Sequence, residues 1–507
     1  MIRDTHRVGF VARYFCGTKL ACRLLLVLAV TAAPCATASG KESVTTQLER
    51  YLEKCHEVGV CNGSYLVTQG DTVLYTGAHG HAASTGDEQL GLDHMFDIGS
   101  ISKQVTAAAV MRLAEQGRLR LDDPVVNHSP KFPYPRVTLR HLLTHTSGLP
   151  DLMSLYPQSR SSTPASEPVL FQDAVNVLAE RAVPLLFEPG DRFEYSNGGY
   201  IVLADVVERA AGVPFVDFLH GTFFGPLGMS RTWLRTPDSE SSIMPRAYGF
   251  RPQPDGGRRM LDQITGLYVR GAGGIYSTAR DLQVWMRAMQ QGKAISTASW
   301  KAATTPTTLN DGSTVPHGFG LSLRPSKRGA LRVTHGGHWR GFKSDLTLLP
   351  TTNVVAVQLT NNGEDDSVEQ VRDAIELILA GEVPPPVLEP IDRPLRARLE
   401  RDTLPSVEKW LNAELSARPF NFDFREEPMN RLGYHLLERK MLDQAILVFL
   451  ANTRAHPTVA NTYDSLADAY HAKGDRPQAI EALRRVLQLD PEASSAIEKL
   501  RLLEQRP

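Results

Sequence analysis

Three short motifs in this 507-residue chain combine side chains that could carry out nucleophilic catalysis by serine. The first is Ser100-Ile101-Ser102-Lys103, which places a hydroxyl and an amine three positions apart. On a helix this spacing is about one turn, so the two side chains can touch. A serine hydroxyl is a poor nucleophile until a nearby base takes its proton, and a lysine amine can be that base. Tyr195-Ser196-Asn197 and His335-Gly336-Gly337 follow later in the chain.

The S-x-x-K pattern alone is weak, because a second copy occurs at Ser406-Val407-Glu408-Lys409. Only the first copy follows a glycine, leads into an apolar stretch typical of a helix and precedes the two other motifs in order. We therefore interpret the first copy as the candidate nucleophile and base, and the second copy as a coincidence of spacing.

Other kinds of active site find little support in the sequence. His141 and His145 stand four residues apart, a spacing found in metal sites, but no third ligand of matching pattern follows, so we interpret them as structural. The chain has no G-x-S-x-G motif, which argues against an α/β-hydrolase. We expect neither a metal nor a cofactor.

The bulk composition is that of an ordinary globular protein, with 42% hydrophobic and 22% charged residues. The 55 Lys and Arg balance 56 Asp and Glu, for a formal net charge of -1. No basic stripe with interleaved aromatic residues is present, so we expect no nucleic-acid partner.

The first 38 residues have the layout of a secretory signal peptide. Basic residues precede an apolar run from Leu24 to Ala33, and Ala36-Thr37-Ala38 offers a cleavage site. The run is short for a permanent anchor, and no other segment is apolar enough to cross a membrane. We expect a periplasmic or secreted protein. A lipoprotein anchored through Cys35 is the less favoured alternative, because Ala32-Ala33-Pro34 is a poor lipidation context.

Cys55 and Cys61 are the cysteines that remain after the predicted signal peptide. They are close in sequence, and an exported protein could join them in a local disulfide. Two reduced thiols are the alternative, and the sequence leaves both open.

The pattern of strands and helices predicts an α+β fold over residues 41–381. A helix is expected over 44–57, and the segments around Gln69-Gly70-Asp71 predict a hairpin. Apolar alternation near residues 331–359 predicts an antiparallel meander, and the middle of the chain is mostly helical, with one helix expected over 169–180. Because isolated terminal strands would be too few to be stable, we expect hairpin and meander to share one antiparallel sheet flanked by helices.

Residues 382–394 are rich in proline and predict an extended linker. Beyond it, residues 395–507 read as all-helical, and Leu432, Ala445 and Pro457 recur 34 positions later as Leu466, Ala479 and Pro491. This section resembles a tetratricopeptide array. Such helical repeats bind segments of other proteins or serve only for packing, and both alternatives stay open here.

Residues from about 45 to 380 resemble the serine β-lactamase and penicillin-binding protein superfamily, within its branch of class C β-lactamases, D-alanyl-D-alanine carboxypeptidases and esterases. Six segments occur in the order that this family shows. They are residues 96–103, 139–149, 189–200, 225–229, 271–274 and 334–337.

The resemblance implies a catalytic set of Ser100, Lys103 and Tyr195. Ser100 would be the acyl-accepting nucleophile, and it could also cap the helix that it precedes. Lys103 would hold or relay the serine proton if desolvation lowers its pKa, and Tyr195 is a second candidate for the base. The residues alone do not decide which of the two acts first.

The resemblance also implies a substrate-binding set, formed by Asn197, His335, Gly336, Gly337 and His338. Asn197 would hold both the substrate and Lys103, and the backbone N–H groups of His338 and Ser100 would bind the oxyanion. His335 stands where many relatives have lysine, so a permanent charge for a substrate carboxylate is missing.

These features together predict an exported serine hydrolase that forms an acyl-enzyme with D-amino-acid peptides, amides or esters. A true class C-like β-lactamase is one alternative. A non-catalytic protein that binds penicillin or cell-wall peptide, and recruits a protein partner through residues 395–507, is the other.

Overall fold

The computed structural model describes residues 42–150, 169–170, 174–181, 183–364 and 367–505. The predicted signal peptide, with Cys35, lies outside these ranges. Within them, no helix combines the length and the apolar character that a membrane span needs.

The strands form one large sheet and four small ones, and their bounds follow here. They are β1 (Gly63–Gln69), β2 (Thr72–His79), β3 (Phe96–Asp97), β4 (Val169–Leu170), β5 (Trp233–Leu234), β6 (Phe250–Pro252), β7 (Arg258–Met260), β8 (Leu267–Tyr268), β9 (Ile275–Ser277), β10 (Thr307–Thr308), β11 (Thr314–Val315), β12 (Ser322–Pro325), β13 (Leu331–Trp339), β14 (Phe342–Leu349) and β15 (Val354–Thr360).

The helices are listed in the same way. They are α1 (Val44–Glu57), α2 (Ser102–Glu115), α3 (Leu139–Leu143), α4 (Ala174–Arg181), α5 (Asn197–Ala211), α6 (Phe215–Leu219), α7 (Ala279–Gln290), α8 (Thr297–Ala303), α9 (Ser367–Leu379), α10 (Asp392–Arg401), α11 (Leu404–Ser416), α12 (Glu426–Glu438), α13 (Leu442–Ala455), α14 (Ala460–Lys473), α15 (Arg476–Leu489) and α16 (Ser494–Gln505).

The large sheet has six strands in the order β12-β13-β14-β15-β1-β2, and each neighbouring pair is antiparallel. The C-terminal meander thus pairs directly with the N-terminal hairpin through β15 and β1, which confirms the predicted shared sheet. The fold is α+β, as predicted, because the helical middle of the chain is inserted between these two groups of strands.

Both faces of this sheet are covered, and successive residues of β15 show it. Val354 and Ala356 pack in the cluster that contains residues of α1 and α9, whereas Val355 and Val357 pack in the main core with α2 and α7. Successive side chains of a strand point to opposite faces, so an unbroken apolar run fills both layers.

One local prediction needs correction. The helix expected over 169–180 is not continuous, because Val169 and Leu170 form a strand that pairs in parallel with Leu267 and Tyr268. The described helix there is α4, which begins at Ala174. The pairing across the fold overrides the local helical pattern.

Cys55 and Cys61 are reduced thiols that are not joined in a disulfide, and both are buried. They lie in the apolar cluster beneath α1 and α9. Of the two alternatives that the sequence left open, the structure has the reduced pair.

The C-terminal region is entirely helical from α10 onward, and α10 begins at Asp392, inside the predicted linker of residues 382–394. The helix pair α12 and α13 is followed by the pair α14 and α15, whose helices start 34 residues later in each case. The observed spacing agrees with the repeat seen in the sequence, and membership of the tetratricopeptide family stays a prediction.

This helical region has its own apolar clusters, separate from the two that cover the sheet. Polar contacts join it to the sheet region. Arg393 donates to the carbonyl oxygens of Val58 and Gly59, and Arg431 pairs with Glu364. The two regions therefore depend on different apolar clusters for their stability.

We expect Gly433→Ala to destabilise the helical region alone. A Cβ at this position of α12 would lie 2.4 Å from a ring carbon of the fully buried Phe449. Overpacking of a core costs about 1–3 kcal/mol, more than the roughly 1 kcal/mol that alanine gains over glycine in a helix. Thermal unfolding should show a lower transition temperature for the helical region.

The matched control is Gly221→Ala, since a Cβ at Gly221 would meet nothing within 4 Å. This variant should unfold like the wild type. A Gly433→Ala protein with unchanged unfolding would contradict the packing of α12 against α13.

Candidate active site

The predicted site residues meet at one cleft with a volume of about 750 Å³. The cleft is lined by the three motifs, which come from the start of α2, the start of α5 and the middle of β13. The predicted residues that line it are Ser100, Tyr195, Asn197, His335, Gly336, Gly337 and His338. Lys103, the remaining member of the set, is fully buried and reaches the floor of the cleft from α2.

Ser100 is presented to the cleft by a tight turn between β3 and α2. Gly99 has a φ of 53°, in the left-handed region that glycine adopts without strain, and a 3₁₀ turn covers Gly99–Ile101. Helix α2 begins only after this turn, with Ile101 as its N-cap and no capping side chain. The predicted second role of Ser100 as a helix cap is therefore wrong, and its hydroxyl instead bonds to Lys103.

The Lys103 amine lies among three oxygen atoms. Its Nζ is 2.9 Å from Ser100 Oγ, 2.8 Å from Asn197 Oδ1 and 2.9 Å from the carbonyl oxygen of Ala272. Burial disfavours the charged form and lowers the pKa of Lys103 from 10.5 to about 7. A substantial fraction of this lysine is thus a neutral amine near neutral pH.

The partners of Lys103 also settle where the lone pair of a neutral amine would point. The amide oxygen of Asn197 and the carbonyl oxygen of Ala272 can only accept, so they take the two N–H bonds of the neutral amine. The lone pair is then left for the hydroxyl hydrogen of Ser100. This arrangement suits proton transfer from Ser100 to Lys103.

Tyr195 is hydrogen-bonded to Ser100 as well. The residue is 43% exposed in the cleft, yet the protein packed around its hydroxyl raises the pKa to about 12. Lys103 Nζ lies 4.9 Å from the centre of the Tyr195 ring. The phenol therefore stays protonated near neutral pH, where Lys103 loses its proton more readily.

His145 supports Tyr195, a role that the sequence did not indicate. Its ring stacks on the Tyr195 ring at 4.4 Å between centres, and its Nδ1 accepts from the backbone N–H of Ser196 at 3.0 Å. His145 is buried and has a φ of 58°, which is uncommon for a residue with a side chain. Backbone strain of this kind persists only where the surrounding packing holds it.

The alternative that His141 and His145 bind a metal finds no support in the described residues, where no cluster of three or more metal-ligating side chains occurs. His141 lies in α3 and takes part in the capping box with Thr138. Both histidines thus have structural contacts, as we predicted.

The wall of the cleft opposite Tyr195 is strand β13. His335 is buried, and its Nδ1 lies 2.6 Å from the carbonyl oxygen of Gly336, which makes Nδ1 the protonated nitrogen. Burial, with Lys103 close by, lowers the pKa of His335 to about 3. The imidazole is therefore neutral near neutral pH, and its Nε2 is an acceptor.

Gly337 is required because β13 touches the backbone before Ser100. A Cβ on Gly337 would lie 2.0 Å from the carbonyl oxygen of Ile98, and one on Gly99 would lie 2.8 Å from the backbone nitrogen of His338. The two glycines let the segments around Ser100 and His338 approach closely. The two N–H groups that would bind an oxyanion are thereby brought to one side of the cleft.

The second S-x-x-K motif takes no part in this site. Ser406 and Lys409 are exposed on α11, outside the residues that line the cleft. The same spacing thus gives a buried lysine bonded to a cleft serine at the start of α2 and a solvated pair in α11.

Comparison with known proteins finds relatives over the region that holds the cleft. The family model described as Beta-lactamase matches residues 48–380. Penicillin-binding protein 4* of Bacillus subtilis (strain 168) is 33% identical over 352 residues, which cover 68% of this chain and 77% of that protein. A D-aminopeptidase of Brucella anthropi is 30% identical over 279 residues, which cover 55% of this chain and about half, 51%, of that protein.

Among solved structures, the penicillin binding protein from Bacillus halodurans has a TM-score of 0.55 and 26% identity to this chain. The similarity covers 66% of this chain and 99% of that structure. The structural similarity and the sequence similarity thus each cover about two thirds of this chain.

We expect the rate of covalent labelling at Ser100 to rise with pH through about 7 and then to level off. Below the pKa of about 7, Lys103 carries a proton and cannot accept another, whereas Tyr195, with a pKa of about 12, stays protonated throughout. The measurement is the rate of labelling by a fluorophosphonate between about pH 5 and about pH 9.

Lys103→Arg should lower this rate by orders of magnitude at every pH, because arginine stays protonated. Lys409→Arg, in the exposed second motif, is the matched control and should leave the rate unchanged. An unaffected Lys103→Arg protein would rule out Lys103 as the base.

Proposed function

This chain belongs to the Beta-lactamase family, and we propose that it is a serine hydrolase acting through an acyl-enzyme on D-amino-acid peptides, amides or esters. The observation that carries the proposal is the contact of the buried Lys103 amine with Ser100 Oγ at 2.9 Å in the floor of an open cleft. A nucleophile and its base within hydrogen-bond reach are what acyl transfer by serine requires.

In the first step, the neutral Lys103 amine takes the proton of Ser100 Oγ while this oxygen forms a bond to the substrate carbonyl carbon. The carbonyl π electrons move to oxygen and give a tetrahedral oxyanion. When the oxyanion collapses, the amine or alcohol leaves and takes the proton from Lys103. Tyr195, hydrogen-bonded to Ser100 and neutral, is placed to relay that proton.

In the second step, a water molecule attacks the ester formed with Ser100. Lys103 takes a proton from the water, a second tetrahedral oxyanion forms, and its collapse returns the proton to Ser100 Oγ. The acid product leaves, and the protein is back in its starting state. No cofactor is needed for this sequence of bond changes.

The oxyanion in both steps would be bound by the backbone N–H groups of Ser100 and His338. Their segments are in van der Waals contact through Gly99 and Gly337. Preorganised donors of this kind are worth about 3 kcal/mol each in other enzymes, because they need no reorganisation when the negative charge develops.

The proposed substrate class rests on His335. A neutral imidazole with an acceptor nitrogen offers no fixed charge for a substrate carboxylate, and it can accept from an amine or amide N–H. The family includes the D-aminopeptidase of Brucella anthropi, whose name matches such a substrate. We therefore place D-amino amides, D-amino-acid peptides and small esters ahead of penicillins.

We also propose where the protein is located and what its helical region does. The basic and apolar N-terminal 38 residues support export to the periplasm or beyond. None of the residues that line the cleft comes from 392–505, so we assign this helical region to binding a protein partner rather than to the chemistry.

Ser100→Ala should abolish covalent labelling by a fluorophosphonate or a fluorescent penicillin, and should lower turnover by about 10³-fold or more. The change removes one oxygen atom at the cleft and should leave the fold intact. The measurement is mass spectrometry of the labelled protein together with hydrolysis of D-alanine p-nitroanilide and p-nitrophenyl acetate.

Ser406→Ala is the matched control and should behave like the wild type. Labelling without turnover would favour the penicillin-binding alternative. Wild-type activity in Ser100→Ala would overturn the proposed function.

His335→Lys should shift the preference towards anionic substrates, because a fixed ammonium replaces a neutral imidazole. We expect the ratio of kcat/KM for a chromogenic cephalosporin to that for p-nitrophenyl acetate to rise about tenfold, the size of one charge-assisted hydrogen bond. His471→Lys, at an exposed position of α14, should leave this ratio unchanged. A wild-type protein that strongly prefers the cephalosporin would instead make it a true β-lactamase.

A further inference from the structure

Gln263 links the two backbone segments that flank the cleft, although it belongs to none of the sequence motifs. Its Nε2 donates to Asp97 Oδ2 at 2.8 Å and to the hydroxyl of Tyr276 at 2.9 Å. Its Oε1 accepts from Trp339 Nε1 at 2.8 Å. One amide group thus connects β3, β9 and the end of β13.

The orientation of this amide is determined by its partners. The indole N–H of Trp339 can only donate, and an ionised Asp97 carboxylate can only accept. The oxygen of Gln263 must therefore face Trp339, and its nitrogen must face Asp97. A flipped amide would lose both bonds.

Each end of this link lies close to one of the two backbone N–H groups that would bind the oxyanion. Asp97 Oδ1 accepts from the backbone N–H of Gly99 at 2.7 Å, and Gly99 directly precedes Ser100. Trp339 directly follows His338 on β13. Gln263 and Asp97 together therefore tie the turn that carries the Ser100 N–H to the strand that carries the His338 N–H.

The segment that carries Gln263 is itself held in place. The neighbouring Asp262 accepts from the backbone N–H of Gly249 at 3.1 Å and pairs with Arg246, and its carbonyl oxygen accepts from Arg340. Gln263 is thus held in place through its backbone neighbour Asp262 as well as through its own amide group. A side chain held in this way can hold other groups in place.

We infer that Gln263 is a positioning residue for the oxyanion site, which it sets by fixing the separation of the Ser100 and His338 backbone N–H groups through Asp97 and Trp339. The inference rests on the proposed function, because an oxyanion forms only if Ser100 attacks a carbonyl. It adds to that function a residue that acts through its neighbours Asp97 and Trp339 rather than on the nucleophile.

The test compares Gln263→Ala and the similarly sized Gln263→Met with the wild type. Methionine fills about the same space but has no N–H to donate to Asp97. If the amide acts through its hydrogen bonds, both variants should lose kcat/KM for p-nitrophenyl acetate by about 10- to 100-fold, the range expected for a misplacement of up to about 1 Å. A role in packing alone would spare the methionine variant.

A second readout separates the oxyanion site from general stability. Phenylboronic acid adds to the serine oxygen as a tetrahedral anion, so its Ki should rise with the loss of kcat/KM, while KM should stay within about threefold. Trp339→Phe keeps a ring at the cleft but loses the N–H. It should show a similar loss that is not additive with Gln263→Ala, because both changes break one network.

Gln253→Ala and Trp300→Phe are the matched controls, since both positions lie outside the cleft lining, and both should behave like the wild type. The inference is overturned if Gln263→Ala keeps kcat/KM and the boronate Ki within twofold of wild type, or if KM alone changes. A wild-type protein that neither turns over the ester nor binds phenylboronic acid would instead refute the proposed function.

Discussion

Lys103 is buried with its amine bonded to Ser100, Asn197 and the carbonyl of Ala272, and these partners come from separate parts of the chain. Taking an amine out of water is costly unless its hydrogen bonds are replaced, so the packing of α2 against α5 and the 271–274 loop must supply them. The same burial brings the pKa of Lys103 down to about 7. An ordinary lysine has an unusually low pKa because of where the fold puts it.

The second constraint is the backbone contact between the turn before Ser100 and strand β13. It depends on the absence of side chains at Gly99 and Gly337, and Ser344 adds a hydrogen bond from its hydroxyl to the carbonyl of Ile98. The large sheet is therefore more than a scaffold, because the position of one of its strands decides the shape of the oxyanion site that we propose. This explains why His335, Gly336 and Gly337 lie in the middle of a strand and not in a loop.

The side chains around Lys103 and the contact with β13 are polar but uncharged near neutral pH. Tyr195 is protonated, His335 is neutral, and His145 and His317 are buried beside them with pKa values lowered by burial. Such surroundings favour a neutral Lys103, since the hydrogen-bond partners of its amine are a hydroxyl, an amide oxygen and a backbone carbonyl rather than carboxylates. The absence of a fixed charge at position 335 is then consistent with the preference that we propose for uncharged acyl groups.

In the helical region, the sequence repeat predicted the spacing of the helices. The recurrence of Leu432, Ala445 and Pro457 after 34 residues predicted equal helix pairs, and α12 to α15 follow that spacing. The exposed motif at Ser406 and Lys409 shows what a short pattern does not predict. An S-x-x-K sequence can form a reactive pair only where tertiary packing buries its lysine.

The sequence by itself determined the features that depend on near neighbours or on a regular period. These include the helix Val44–Glu57, the repeated helices and the identity of the three motifs, whereas the shared antiparallel sheet was predicted from the instability of isolated strands. Only the tertiary structure decided the stacking of His145 on Tyr195, the link through Gln263 and the lowered pKa of Lys103. The physical reason is the range of the contacts: Lys103 meets partners 94 and 169 positions away, and no local pattern records such a distance.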